Sequence, residues 1–367
     1  MAEPDRTDYS QRIIDWLCDK VWPLVDSQKP ILTVQLDITN ACNLLCDHCY
    51  LPHHKNYGAL THYQWLTVLD QYERLVYKLR MIPAITICGG EPLLAPFLIP
   101  FLQEIRRRFG SCDLSVQSNG TLITDEVAKS FKELDISVQV SIDGPDAARH
   151  DLIRGQGNFE KAMIGCRLLG AFGVPFYHQA VLSRRTVGWI RDFFTFASAN
   201  GATVMGFTRL IVAGYAEQLY EHRQDHPLVG HDLRIAMETI LQCSRASGIP
   251  TNTSGALWHL IDPACTGGDN VGFAAFVIGY RGEFKVTSRA PLALGNVLEE
   301  GMEALFLRHP TMQHLRSNEI ESCGQCPHFL KCRGDRNVSY AAFGHFFGPD
   351  IGCWLLQRCD ISKDAAA

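Results

Sequence analysis

Cys42-Asn-Leu-Leu-Cys46-Asp-His-Cys49 follows the apolar run Ile31 to Ile38 (ILTVQLDI), and its C-x3-C-x2-C spacing decides how the chain is read. Thiolates are the usual protein ligands of iron–sulfur clusters. Three on one short loop hold three irons of a cubane, and no fourth cysteine stands at matching spacing. One iron is then open to an outside ligand, which makes the loop a reactive site. Two blander readings stand beside this one. Zinc is usually tetrahedral with four ligands, and His53 or His54 could complete it. Three unrelated buried thiols are the other.

Outward from this loop, apolar strand segments alternate with amphipathic helical ones. The pattern predicts strands near 31–38, 83–88, 112–118, 136–142, 174–182 and 203–210, and helices near 61–79, 96–109, 124–134, 158–171, 186–200 and 231–247. Such alternation argues for a parallel sheet with right-handed crossovers. In barrels of this kind functional groups gather at the carboxyl ends of the strands. The first strand ends in the cysteine loop. The second ends in Gly89-Gly90-Glu91-Pro92, the third in Gln117-Ser118-Asn119-Gly120-Thr121 and the fourth in Ser141-Ile142-Asp143-Gly144-Pro145. Taken singly, each is also good turn chemistry. Farther on stands His150-Asp151-Leu152-Ile153-Arg154-Gly155.

In register, these stretches resemble the radical S-adenosylmethionine (radical SAM) superfamily, with His48 where an aromatic residue commonly precedes the third cysteine. The resemblance implies an α/β fold, a partial (β/α)6 TIM barrel, and a [4Fe-4S] cluster on Cys42, Cys46 and Cys49. The open iron would chelate S-adenosylmethionine, and reductive cleavage would give a 5′-deoxyadenosyl radical that abstracts a substrate hydrogen atom. It further implies that Gly89, Gly90 and Glu91 hold the amino group of S-adenosylmethionine, and that Ser118, Asn119, Ser141 and Asp143 lie near its ribose. Arg154 would lie near its carboxylate, and Leu182 would be a wall for adenine.

The β-α rhythm fades after about residue 247. Cys265-Thr-Gly-Gly, an expected hairpin with strands 273–279 and 283–287, Leu294-Gly295-Asn296-Val297-Leu298-Glu299, a helical segment 300–315 and Cys323-x2-Cys326-x5-Cys332 follow. That order resembles the SPASM auxiliary-cluster domain, giving three expected regions: an amphipathic helix within 1–30, the barrel at 31–247 and a small SPASM-like iron–sulfur domain at 248–367. Two departures matter. Thr287 and Arg336 occupy positions where the resemblance asks for cysteine, so the inner auxiliary cluster lacks ligands. The outer set survives as Cys323, Cys326, Cys332 and Cys353, implying one auxiliary [4Fe-4S] cluster. Cys359 competes with Cys353, and a structural zinc suits four thiolates equally. Cys265 is then either a vestigial ligand buried as a small hydrophobe or a catalytic thiol facing the space of the missing cluster.

Composition sets bounds. The 367 residues carry 46% hydrophobic and 20% charged residues and a net charge of −5, which gives no reason to expect nucleic acid or an acidic membrane surface as partner. The polar start MAEPDRTDYSQR is not a signal peptide, and no apolar run is long enough to cross a bilayer. Fourteen cysteines in such a chain suit a reducing cytoplasm. The scattered Cys18, Cys88, Cys112, Cys166 and Cys243 read as core residues. The polar stretches His53 to Tyr57 and Gly214 to His226 could face substrate, or be solvated loops.

Three functions fit. A peptide maturase would cross-link, oxidise or epimerise a ribosomally made peptide. A small-molecule enzyme would act on a sugar or tetrapyrrole intermediate. A non-catalytic metal scaffold would never cleave S-adenosylmethionine. Either enzyme needs an external electron donor of flavodoxin or ferredoxin type.

Overall fold

The computed structural model describes residues 30–265, 271–317 and 319–356. The helix expected within 1–30, Cys18 and Cys359 lie outside these residues. Strands run over Ile31–Thr39 (β1), Ile82–Gly89 (β2), Asp113–Ser118 (β3), Ser137–Ser141 (β4), Phe176–Leu182 (β5) and Met205–Arg209 (β6). All five neighbouring pairs among them are parallel. Helices cross between them, as the sequence pattern predicts.

Alternation along each strand sorts the two faces. Leu32, Val34, Leu36 and Ile38 of β1 are buried toward the helices. The opposite face carries Thr33 and Gln35, and equivalent positions in β3, β4 and β5 carry Gln117, Gln139 and Gln179, all lining one cavity. The sheet is thus apolar outside and polar inside. Its helical cover follows from amphipathic spacing. In His62–Leu79, Trp65, Val68, Leu69, Tyr72, Leu75, Val76 and Leu79 are buried, and Thr61 and Gln64 close a capping box at the start. The Tyr72 hydroxyl donates to the Leu32 carbonyl at 2.6 Å, which ties that helix to β1.

The C-terminal third enters the same sheet. Ala275–Ile278 (β7) pairs parallel with β1, Glu283–Lys285 (β8) is antiparallel to β7, and Gly295–Asn296 (β9) is antiparallel to β8. The order is β6-β5-β4-β3-β2-β1-β7-β8-β9. The extension therefore continues the sheet beyond β1 and walls the cavity on that side. One expected helix is divided: 300–315 becomes Met302–Arg308 and Pro310–Arg316. His309 between them is extended, as a residue before proline prefers, and proline has no N–H to continue the ladder.

Candidate active site

Backbone and side-chain bonds from several strand ends fix the cysteine loop. The Asn40 amide donates to the carbonyls of His53 and Lys55 at 2.7 and 2.9 Å, folding the following segment back. Asn119, at the end of β3, donates to Asn43 at 2.9 Å, and Asn43 donates to Thr121 at 2.9 Å. The Asp47 amide donates to the Ile153 carbonyl at 3.1 Å, and Arg185 donates to the Asp47 carboxylate at 2.7 Å. The Cys49 carbonyl accepts from the Tyr215 amide at 2.8 Å. Segments after β3, β4, β5 and β6 thus each hold part of the cysteine loop.

Gly89 and Gly90 bring β2 against it. A Cβ on Gly89 would stand 2.1 Å from the Thr39 carbonyl oxygen, and one on Gly90 2.2 Å from that of Ala41. Gly89 also has φ +135°, a conformation that side chains resist. The amides of Gly90 and Glu91 donate to those same two carbonyls at 2.8 Å.

One cavity of about 600 Å³ lies at the strand ends. Its walls include Cys42, Cys46, His48, Cys49, Gly89, Gly90, Ser118, Asn119, Ser141, Arg154 and Leu182, residues that the sequence motifs singled out. Glu91 and Asp143 are not on that wall. Both are fully buried behind it. The Glu91 carboxylate accepts from the Ser118 hydroxyl and the Asn119 amide, each at 2.8 Å, and from the Leu93 amide at 3.3 Å. Burial outweighs these donors and pushes its pKa up to about 7. Asp143 accepts from Arg154 Nε at 2.5 Å and the Val181 amide at 2.7 Å, with His48 Nε2 at 3.4 Å. Burial alone would raise its pKa; the Arg154 and His48 charges reverse that and hold it at about 2. Arg154 is accordingly no solvated surface arginine, and its guanidinium also reaches to 3.8 Å from Cys46 Sγ.

The donor set suits a multi-iron cluster: three thiols on one cavity wall beside a buried cation. Burial pushes the thiols of Cys46 and Cys49 up to about 11, so loading must displace their protons. Among the described residues, no three His, Cys, Asp or Glu side chains converge as ligands of a single ion. His54 Nε2 lies 3.6 Å from Cys49 Sγ, whereas His53 Nδ1 is engaged by the Lys55 amide at 3.2 Å. Of the two polar stretches expected near substrate, only His54 lines the cavity. Asp225, in the second, is buried and holds the Ser183 hydroxyl at 2.6 Å and the Arg185 amide at 3.0 Å.

The C-terminal cysteines form a separate locus, and none of the four lines the cavity. Cys326 donates its amide to the Cys323 carbonyl at 2.9 Å, Cys353 does the same to the Asp350 carbonyl at 2.9 Å, and Cys332 Sγ faces the Leu257 amide at 3.4 Å. Burial pushes the Cys332 thiol up to about 12 and that of Cys353 to about 11, and Cys323 bears on Cys353 as a neighbouring charge. Asp350 organises this locus. It is fully buried, takes both arms of the Arg209 guanidinium at 2.8 and 2.9 Å, and accepts the amides of Asp335 and Gly352 at 2.9 Å. Arg209 ends β6 and lines the cavity, so one ion pair joins the two loci.

Cys265 is half-buried and packs against the core, and it is absent from the cavity wall. Its segment sits beside Asp262, to whose carbonyl its amide donates at 2.9 Å. Thr287 and Arg336, at the positions lacking cysteine, carry hydrogen bonds instead. Thr287 donates to Asn337 at 2.5 Å, and Arg336 donates to the carbonyls of Phe346 and Gly348 at 2.8 and 2.9 Å. Sequence reading missed Arg209, Arg289, Asn337 and Asp350, which follow no repeating spacing. The inward glutamines had a signal in the period of two.

A mixed α/β partial barrel with a three-thiol loop and a cavity at its strand ends defines the class. Residues 36–197 match the Radical SAM superfamily. That stretch is a radical SAM domain, and the chain carrying it is an S-adenosylmethionine-dependent enzyme. It is 28% identical over 332 residues to the mycofactocin maturase MftC of Mycobacterium ulcerans, covering 86% of each chain. It is 24% identical over 370 residues to an AdoMet-dependent heme synthase of Oleidesulfovibrio alaskensis, covering 93% of this chain and 92% of that one. Among solved structures, anSMEcpe with bound AdoMet and a Cp18Cys peptide superposes with TM-score 0.67 at 20% identity, over 90% of this chain and 95% of that one. Streptococcus suis SuiB bound to precursor peptide SuiA gives TM-score 0.70 at 14% identity, over 93% and 78%.

Proposed function

We propose that the protein is a peptide maturase that abstracts a hydrogen atom from a ribosomally made peptide, leading to cross-linking, oxidation or epimerisation. The observation that carries this reading is the single cavity running from the cysteine loop to Thr287, Ser288 and Asn337 of the C-terminal extension. Its volume of about 600 Å³ is in the range of ligand sites, with polar groups at both ends. The maturase relative named above supports a peptide as substrate.

A [4Fe-4S] cluster held by Cys42, Cys46 and Cys49 would supply the electron that cleaves S-adenosylmethionine to the 5′-deoxyadenosyl radical. The chain's own groups bind and orient. Gly89 and Gly90 keep the wall low where the cofactor's amino-acid end would lie. Glu91, from behind the wall, fixes the Ser118 hydroxyl and the Asn119 amide. Ser118, Asn119 and Ser141 would present short polar groups to the ribose, and Leu182 an apolar surface to adenine. Asp143 holds Arg154 and His48 beside Cys46. Cys323, Cys326, Cys332 and Cys353 would hold one auxiliary [4Fe-4S] cluster. A flavodoxin or ferredoxin would deliver electrons, in a reducing cytoplasm; all described cysteines are free thiols.

The heme synthase relative favours a second reading, a tetrapyrrole or other small molecule in the same cavity. Anaerobic reconstitution, with 5′-deoxyadenosine quantified and mass changes followed in short peptides encoded beside the gene, separates the two. A peptide mass change supports the first reading, and turnover of a tetrapyrrole alone overturns it.

A further inference from the structure

Four charged side chains of Arg and Asp type line the cavity: Arg154, Arg209, Asp335 and Arg289. Three of them are paired. Arg154 bonds Asp143, and Arg209 bonds Asp350 with Asp335 at 3.7 Å. Arg289 is different. It is partly buried, its backbone amide donates to Thr287 Oγ1 at 3.3 Å, and its guanidinium has no carboxylate within ion-pair distance among the described residues. A guanidinium kept on a half-enclosed wall without a partner carries an unbalanced charge, and its planar fork matches a carboxylate.

The sheet order says which carboxylate. The stretches after β2, β3 and β4, which carry the motifs for S-adenosylmethionine, lie on one side of β1. Arg289 follows β8, on the other side of β1. It stands on the wall where the resemblance asks for cysteine at Thr287, next to Ser288, and Tyr50 lines the same cavity. We infer that Arg289 anchors a carboxylate of the substrate, in space that a second auxiliary cluster would otherwise take. This rests on the reading that substrate enters this cavity, and it holds for a peptide acid group or the acid of a small molecule.

The test is arginine modification by phenylglyoxal, mapped by mass spectrometry on the full, anaerobically reconstituted chain. Arg289 should react well before the ion-paired Arg154 and Arg209. Glutarate should slow its reaction, while neutral glutaramide at the same concentration should not. In Arg289→Gln, thermal stabilisation by glutarate should need about tenfold more ligand, as loss of a charge-assisted hydrogen bond gives. An unchanged Arg289 rate with glutarate overturns the proposal. Protection by S-adenosylmethionine alone also overturns it, by giving the residue to the cofactor. Because 5′-deoxyadenosine formation in the wild-type chain is measured separately, failure of the broader functional reading is distinguishable from failure of this one.

Discussion

The two cysteine groups of this chain are built differently. Cys42, Cys46 and Cys49 sit on a loop between strand ends, and all three line the cavity. Cys323, Cys326, Cys332 and Cys353 sit in turns and short helices around the buried Asp350, and none reaches the cavity. The first group has three thiols, with polar groups from the neighbouring strand ends facing the same space. The second has four thiols, the number that the proposed auxiliary cluster would need, with backbone amides around them. On the proposed reading, the site that must open to a ligand is left one donor short, whereas a closed second site would store or pass electrons or brace the fold.

Replacing any of the first three cysteines should break this contrast most visibly. Cys42→Ser, Cys46→Ser or Cys49→Ser should abolish 5′-deoxyadenosine formation and remove about four irons per chain of about eight. Cys326→Ser or Cys332→Ser should remove a similar amount of iron and leave nucleoside release measurable. Iron analysis and chromatography check both.

Asp350→Asn tests what links the two groups. Arg209 would lose its two-armed partner and keep only Asp335 at 3.7 Å, at a cost on the order of 2–3 kcal/mol. Denaturant melts should show that loss together with lower iron in the C-terminal group. Gly90→Ala acts on the other side. Its Cβ would meet the Ala41 carbonyl oxygen at 2.2 Å, so backbone must shift, at roughly 2–4 kcal/mol and with weaker binding of S-adenosylmethionine by equilibrium dialysis.

The smallest effect concerns pH. Burial raises Asp37 from 3.8 to about 6, outweighing the hydrogen bond from Gln35. A carboxyl raised on folding stabilises below its unfolded value, and that contribution is lost as pH rises through the folded one. Wild-type and Asp37→Asn stability curves of the metal-free protein should therefore diverge between about pH 4 and 6, by up to about 3 kcal/mol. Parallel curves would contradict the raised value.

Much of the barrel was legible because its physics is local. Hydrophobic period separates ILTVQLDI from the helix His62–Leu79, and the strand bounds fall within two residues of the expected ones. The cavity residues at strand ends were legible for a related reason, since each motif directly follows its strand. What was not legible depends on distant pairing. Nothing near Asp350 announces Arg209, more than a hundred residues earlier. The union of β7 with β1 likewise rests on long-range register, not on any periodicity. Glu91 and Asp143 show a subtler limit. Their positions were found, but which way each carboxylate turns is decided by donors on other strands.

The most direct measurement is 5′-deoxyadenosine formation by the anaerobically reconstituted, reduced triple variant Cys323→Ser, Cys326→Ser, Cys332→Ser. The account predicts about four irons per chain and continued release of the nucleoside from S-adenosylmethionine. A variant that holds that iron yet never attacks S-adenosylmethionine would contradict it.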